Sequence, residues 1–137
     1  MKKDIPHLPV KGIKIAIARK NEDGHEAQWH VYIINNNEVD LDNVLITSKG
    51  YSDKNVKDGE QQKTSVLRHM IEKLVAGSYA IIEPIDPALF KLFNEFWVSY
   101  YIDNHIYDKK FVFVPESIRE ENLIQISEIG LDGVLHS

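Results

Sequence analysis

One segment, residues 90–113, constrains the fold of this chain more than any other part of the sequence. It contains nine of the thirteen aromatic residues among 137. Apolar and polar side chains alternate along both of its halves, and aromatic and β-branched residues fit the pleated, half-buried surface of a sheet. The segment therefore predicts a β-hairpin that anchors an all-β fold.

The same alternation predicts an apolar inner face and a mixed outer face for this hairpin. With residues 104–105 as a two-residue turn, Phe96 lies opposite Phe113 on the inner face, and burial of that face sets the register. The outer face combines aromatic, polar and charged side chains: Trp97, Ser99, Tyr101, Asp108 and Lys110. It is either an ordinary solvated sheet face or a recognition surface, since exposed Trp and Tyr are favoured at interfaces.

Further short strands are predicted on both sides of the hairpin. Period-two alternation of apolar residues indicates strands at 13–18, 28–35, 43–48 and 79–83. Residues 1–11 are predicted as an irregular lead-in, and residues 116–137 as a tail with room for one last strand at 123–126. Strands at such spacing predict a single domain over 1–137, a two-sheet immunoglobulin-like β-sandwich of about seven or eight strands.

Residues 64–75 fit two secondary structures. Their apolar positions follow a helical spacing, and Gly77 stands where a helix would end. However, the segment leads through a short turn into the strand at 79–83, and a hairpin agrees better with the other strands of the chain. A strand is therefore preferred, with a helix over 65–75 as the open alternative.

Composition excludes several classes of protein. The net charge of -5 disfavours a protein that holds nucleic acid through phosphate contacts. The chain has no cysteine, which excludes disulfides and thiolate chemistry. No apolar run reaches the ~20 residues that span a bilayer, so no membrane contact is predicted. These features predict a cytoplasmic protein.

No motif for a metal or a cofactor emerges from the sequence. The six histidines show no ligand spacing on one element: His7, His25, His30, His69, His105 and His136. Residues 40–43 and 53–59 are similar to calcium loops. The second segment does not fit, because Lys57 stands where an oxygen ligand belongs and Thr64 where a bidentate glutamate belongs. Both segments are predicted to be plain turns, and no metal and no cofactor is predicted.

Glu83 is a candidate for acid–base chemistry. With Asp86 it forms a pair that could serve general acid–base catalysis. If residues 76–77 form a two-residue turn, however, Glu83 lies opposite Met70 and diagonal to Arg68, which favours a structural ion pair. The chain lacks the serine-nucleophile, phosphate-loop and dinucleotide motifs, so no catalytic residue is predicted.

Several stretches resemble a family of small uncharacterised bacterial proteins, and the similarity covers most of the chain. The stretches are Trp29-His-Val-Tyr-Ile-Ile-Asn35, Asn43-Val-Leu-Ile46, Gly50-Tyr51, Thr64-Ser65, Leu67-Arg68-His69, Ile82-Glu-Pro-Ile85 and Tyr107-Asp-Lys-Lys110. Members of that family sometimes carry the label phenylalanyl-tRNA synthetase alpha subunit. The label implies a class II aminoacylation site.

The arginines of the chain argue against such a site. Class II synthetases place arginines in motifs that bind ATP, and the three arginines here, Arg19, Arg68 and Arg119, stand in no such context. The chain is also too short for that catalytic fold. Synthetase activity is therefore not predicted for the chain alone, and the resemblance implies no catalytic residues.

The sequence as a whole predicts a non-catalytic protein-interaction module. Its candidate contacts are polar and aromatic residues in strands and turns: Arg68, His69, Glu83, Asn94, Glu95, Trp97, Tyr101, Tyr107, Asp108, Lys109 and Lys110. The partner is another protein or, through an unpaired sheet edge, a second copy of the chain. A translation-associated or tRNA-binding accessory and an uncatalogued enzyme are the two alternatives.

Overall fold

Strands dominate the computed structural model, which describes residues 7–8, 10–21, 23–53 and 61–137. The strands are β1 His7–Leu8, β2 Ile13–Lys20, β3 Gln28–Asn35, β4 Leu41–Tyr51, β5 Leu67–Leu74, β6 Tyr79–Pro84, β7 Phe93–Ile102, β8 His105–Phe113, β9 Ile124–Ile126 and β10 Leu131–His136. Within these residues the helical elements are two short 3₁₀ turns, Pro87–Lys91 and Glu120–Asn122.

The strands form two five-stranded sheets, which confirms the predicted all-β sandwich. Sheet A has the order β1-β8-β7-β4-β5, and sheet B the order β6-β3-β2-β10-β9. The pairing of β1 with β8 is parallel, whereas the pairings on either side of β2, β4 and β7 are antiparallel. The described residues thus hold ten strands, more than the seven or eight predicted.

The main hydrophobic core lies between the two sheets. Inward positions of β2 and β3, such as Ile15 and Ile33, meet inward positions of β4, β7 and β8, such as Ile46, Val98 and Phe111. All five are fully buried. The period-two alternation seen in the sequence therefore places these side chains in one core, because successive residues of a strand point to opposite faces.

The hairpin of β7 and β8 forms as predicted, but its turn lies one residue earlier. The turn residues are Asp103 and Asn104, with φ of 48° and 66°, and a type I′ turn requires positive φ at both positions. Phe96 consequently pairs with Phe111 instead of Phe113. Since the register moves by two residues, every side chain keeps its predicted face.

Residues 67–74 form strand β5, so the preferred strand is confirmed and the alternative helix over 65–75 is wrong. The predicted hairpin of this strand with β6 is also wrong. β5 pairs with β4 in sheet A, whereas β6 pairs with β3 in sheet B. Buried Asn35 anchors this crossover, because its amide donates to the carbonyls of Leu74 at 3.1 Å and Val75 at 3.3 Å. The backbone N–H of Asn35 also donates to Ser78 O at 2.8 Å.

Both ends of the chain contribute more strands than predicted. His7 and Leu8, placed in the irregular lead-in, pair with β8. The predicted tail contains β9 at Ile124–Ile126, as expected, and also β10, which was not predicted. β10 pairs with β2 along five residues and so lies inside sheet B instead of at its edge.

A second apolar cluster lies on the outer face of sheet B. Its buried members are Ala16, Ala18, Tyr32, Ile34 and Ile126, with Ile129, Leu131 and Leu135 packed against them. Four of these eight residues come from the C-terminal segment. Sheet B is therefore buried on its inner face and across part of its outer face.

Candidate functional site

The outer face of sheet A differs from that of sheet B, because a broad area of it reaches solvent. We call it the open face and define it by the outward residues of β5, β4, β7 and β8: Arg68, Met70, Leu45, Thr47, Lys49, Glu95, Trp97, Ser99, Tyr101, Asp108 and Lys110. Cross-strand pairing sets these residues in rows. One row runs Arg68, Thr47, Trp97, Lys110, and the next runs Met70, Leu45, Ser99, Asp108.

Trp97 stands near the middle of the open face and is held in place although it is 48% exposed. Its indole N–H donates to Asp108 Oδ2 at 3.2 Å. Lys110 Nζ lies 5.2 Å from the centroid of its ring, within the range of a cation–π contact. Both contacts come from β8, so the hairpin register fixes the orientation of the indole.

Glu95 is a nearly buried carboxylate that organises the basic side chains around it. Lys49 Nζ lies 3.6 Å from its Oε2, and Lys110 Nζ lies 3.9 Å from its Oε1. The hydroxyl of Tyr51 donates to Oε1 at 3.2 Å. Burial raises the pKa of the Tyr51 phenol, and the negative charge and the hydrogen bond of Glu95 raise it further. The pairing compensates much of the cost of burying the Glu95 charge.

Charge is distributed unevenly along the open face. Its end near the start of β7 carries the cations Lys49, Lys63, Arg68 and Lys110 around Glu95, and a cleft of about 490 Å³ opens there. The opposite end, near the hairpin turn, carries the carboxylates of Asp42, Glu72 and Asp103 with a single cation, Lys73, around a cleft of about 680 Å³. The open face is therefore basic at one end, apolar and aromatic in the middle, and acidic at the other end.

His69 and Glu83 come together away from the open face, at the side of the sandwich where β5 and β6 lie. His69 Nε2 lies 2.7 Å from Glu83 Oε1, and the hydroxyl of Ser48 donates to the same oxygen at 2.7 Å. The predicted ion pair of Glu83 with Arg68 is wrong. Arg68 lies opposite Thr47, because β5 belongs to sheet A and not to a hairpin with β6.

The arrangement of Ser48, His69 and Glu83 is a bridge between sheets and not a nucleophile–base pair. In a serine hydrolase the histidine contacts the serine hydroxyl and takes its proton, whereas here both residues contact one carboxylate oxygen. Ser48 is also 4% exposed. The cluster ties β4 and β5 of sheet A to β6 of sheet B.

The other predicted contact residues occupy different environments. Asn94 is buried, and its amide donates to the carbonyls of Leu89 at 2.9 Å and Leu92 at 3.2 Å, which fixes the 3₁₀ turn before β7. Tyr107 stacks on Tyr100 with ring centroids 5.2 Å apart. Lys109 Nζ lies 4.9 Å from the centroid of the Phe111 ring, on the inward side of β8. The structure thus brings six of the eleven predicted residues together on the open face: Arg68, Glu95, Trp97, Tyr101, Asp108 and Lys110.

Apart from Arg68, sequence reasoning missed the residues of the open face that β4 and β5 supply. Leu45, Lys49 and Met70 join the face only because β4 lies between β7 and β5. The alternation of β4 indicated which residues share a face with Leu45, but not which strand lies beside it. No local signal in the sequence carries that pairing.

Among the described residues no group of three or more His, Asp or Glu side chains is placed to hold a metal ion. The second calcium-like segment lies outside the described residues apart from Asp53. In the described part of the chain, no helix has the length and apolar character needed to cross a membrane.

Comparison with known proteins adds no relative to this description. No family model matches the chain, and no curated protein matches it. The open face and its chemistry are therefore the features of the chain that point to a function.

Proposed function

We propose that the protein is a non-catalytic protein-interaction module and that the open face is its recognition surface. The observation that carries this proposal is the fixed orientation of Trp97, which is half exposed and held by Asp108 and Lys110. A large aromatic side chain that is already ordered loses little conformational entropy on binding, and such residues dominate the energetics of interfaces. An ordered, exposed tryptophan at the centre of a face suits this role.

The surroundings of Trp97 support the same role. Met70 is 62% exposed, and Leu45 and Tyr101 are each more than a third exposed. Together with Trp97 they form an apolar centre, and the charged residues lie towards the two ends of the face. An apolar centre within a polar surround is the usual anatomy of a protein–protein interface.

The charge pattern favours a protein over a nucleic acid as the partner. A surface that binds phosphates is basic along its length, whereas the open face has an acidic end at Asp42, Glu72 and Asp103. The net charge of -5 acts in the same direction. A translation-associated role in which RNA binds this face would need the acidic end to lie outside the contact.

Site-specific photo-crosslinking in the native cell tests the proposal. A photoreactive phenylalanine analogue at Tyr101 lies on the open face, whereas the same analogue at Tyr79 lies on the outer side of sheet B. Both tyrosines are of similar exposure, 39% and 46%. We expect discrete protein adducts from position 101 and none of the same mass from position 79.

The variant Trp97→Ala in the position-101 background is the second arm of this experiment. We expect it to abolish the adducts while the circular dichroism spectrum stays unchanged. Adducts digested by ribonuclease would replace the proposal by the RNA-binding alternative. Identical adducts from both positions, or adducts that persist in Trp97→Ala, would show that the open face is not the recognition surface.

We also propose that the sandwich has an immunoglobulin-like topology, and the strand order supports this. Labelled A, B, C, C′, E, F and G, strands β2 to β8 give one sheet E-B-A and another C′-C-F-G. Immunoglobulin-like sandwiches keep A, B and E in one sheet and C, F and G in the other, with C′ beside C in the variable type. Amide NOEs between β3 and β6 and between β4 and β7 check both crossovers, and the absence of either set contradicts the topology.

The compartment is part of the same proposal. We place the protein in the cytoplasm because its sequence has no cysteine, whereas small domains of oxidising compartments are commonly rich in disulfides. Fractionation of the native cell checks this placement, and recovery outside the cytoplasmic fraction would contradict it.

A further inference from the structure

The charge distribution of the open face is complementary to itself. Four cations and Glu95 lie towards the end near Lys49, whereas three carboxylates and Lys73 lie at the end near Asp42. The apolar residues Leu45, Met70 and Trp97 lie between these ends. When one copy of such a face is turned end for end and placed on another, each basic end meets an acidic end.

We propose that the partner of the open face is a second copy of this chain, bound face to face with its strands antiparallel. This inference rests on the proposed function, because it names the partner of the same surface. Symmetric dimers are the commonest oligomers, and a twofold axis needs a patch that complements itself.

The direction of the twofold axis follows from the charges. An axis across the strands, between the row of Trp97 and the row of Ser99, keeps each strand above its own copy and reverses its direction. It brings Lys110 towards the partner's Asp108 and Lys49 towards the partner's Asp42. An axis along the strands would instead place basic ends on basic ends, and like charges in juxtaposition are strongly unfavourable.

The face is large enough for a specific dimer. The ten residues of β7 span ~33 Å, and four strands spaced ~4.8 Å apart span ~19 Å, which gives roughly 600 Å² on each copy before side-chain relief is counted. Standard interfaces bury ≈ 800 Å² on each partner. The open face is close to that size, and its apolar centre supplies the part that excludes water.

Charge reversal on β5 tests the arrangement without touching the contacts that order Trp97. Arg68 and Glu72 are both exposed and lie towards opposite ends of the face. In the antiparallel arrangement Arg68 lies over the partner's Met70, one row from the partner's Glu72, so Arg68→Glu and Glu72→Arg each replace the nearest attraction between the two β5 strands by a repulsion. We expect each single variant to raise the dimer dissociation constant at least ~10-fold in sedimentation equilibrium.

A mixture of the two single variants, and a double variant, should each restore the dimer. An equimolar mixture of Arg68→Glu and Glu72→Arg pairs opposite charges again, and so does the double variant Arg68→Glu with Glu72→Arg in self-association. We expect both to return the dissociation constant to within ~3-fold of the unmodified chain. Raising the salt concentration to about 0.5 M should weaken the unmodified dimer and both restored dimers, since the attractions between surface charges are then screened.

Other outcomes overturn the inference in distinguishable ways. If the unmodified chain is a monomer up to about 0.5 mM, self-association is excluded, while protein adducts from position 101 would leave the proposed function standing. If the dimer resists all charge reversals but dissociates in Ile81→Lys, it forms through the edge strand β6 and not through the open face. A dimer that is lost in Trp97→Ala but not in the charge variants contradicts the antiparallel arrangement.

Discussion

The outer faces of the two sheets differ in how far they are exposed to solvent. On sheet B, Tyr32, Ile34 and their neighbours are buried, because β9, β10 and the turn between them add Ile126, Ile129 and Leu135 to that face. On sheet A, Met70, Leu45 and Trp97 occupy equivalent outward positions, and no other segment of the described chain buries them. The outer face of sheet B is therefore buried over its central part, although Tyr79, Ile81 and Ile124 stay exposed towards its edges, whereas the centre of the outer face of sheet A is exposed.

This difference separates residues kept for stability from residues available for binding. Burial of apolar area contributes roughly 25 cal/mol per Å², so the covered face contributes to folding. The open face contributes less to folding, and contiguous exposed apolar groups ringed by charge mark interaction sites. Substitutions on the two faces should therefore differ in what they damage.

The largest contrast is expected between Ile126→Ala on the covered face and Met70→Ala on the open face. Ile126 is 1% exposed and Met70 is 62% exposed. Truncation of a buried isoleucine costs about 2–4 kcal/mol, whereas truncation of an exposed side chain costs below ~0.5 kcal/mol. Urea unfolding of both variants measures the difference. Equal losses would mean that the two faces are equally important for folding.

Gly133→Ala should be the next most damaging change, because β10 lies very close to β2 at this point. A Cβ built on Gly133 would clash with Ile17 O and lie 2.7 Å from Ala18 Cβ. Overpacking of this kind costs about 1–3 kcal/mol. Gly24→Ala is the control: a Cβ there meets nothing within 4 Å, and only the φ of +79° opposes it. Thermal unfolding should show a larger loss at position 133, and the reverse order would contradict the close approach of β10 to β2.

Acid should loosen the covering segment through Glu128, which lies in the turn between β9 and β10. The Asn36 amide donates to Glu128 Oε2 at 2.9 Å, and Lys14 Nζ lies 3.3 Å from the same oxygen. The hydrogen bond from Asn36 is the largest cause that lowers the pKa of Glu128 to about 2, and the positive charge of Lys14 is a smaller one. A carboxylate with a depressed pKa stabilises the fold above its ordinary value of 4.5, and this contribution is lost as the pH falls from there towards 2.

The size of this acid effect is about 1 kcal/mol, because a quarter of the Glu128 side chain is exposed and solvent screens the pair. The measurement is the free energy of unfolding across that pH window for the unmodified chain and for Glu128→Gln. We expect the variant to be less stable at pH 7 and to lose less stability on acidification. A pH dependence that is identical in both proteins would remove Glu128 as its source.

Trp97→Ala should have a small effect on stability and a large effect on binding. The indole is half exposed and its hydrogen bond with Asp108 is at the surface, so we expect a loss of below ~1 kcal/mol in the free energy of unfolding. Truncation of an interface tryptophan typically costs more than 2 kcal/mol of binding energy. A variant that unfolds readily but binds normally would assign Trp97 to the fold and not to recognition.

Local patterns in the sequence predicted the faces of the strands but not their neighbours. Alternation is a property of each strand, so Phe96 and Val98 were correctly placed inside and Trp97 outside. The hairpin register was wrong by two residues, because Asp103-Asn104 and the next pair along the chain are both acceptable at a turn. The turn forms at Asp103-Asn104, where both residues adopt the positive φ of a type I′ turn.

Contacts between distant segments escaped prediction for a different reason. The pairing of Glu83 with Arg68 assumed that two consecutive strands form a hairpin, but the chain crosses from sheet A to sheet B between them. Buried Asn35, whose amide binds the carbonyls of that crossover, comes from a strand about 40 residues earlier. The local pattern of a single sequence carries no signal for such a contact.

The sequence by itself determined that the chain forms strands, which side chains of each strand share a face, and that the hairpin at 90–113 presents an aromatic and charged outer side. These properties follow from the period of two and from side-chain chemistry, both of which are local. Only the tertiary structure decided which strands became neighbours and which outer face was covered. That choice depends on how the C-terminal segment joins sheet B. Its strand β10 pairs with residues of β2 that lie more than 110 positions earlier, and no local pattern specifies this pairing.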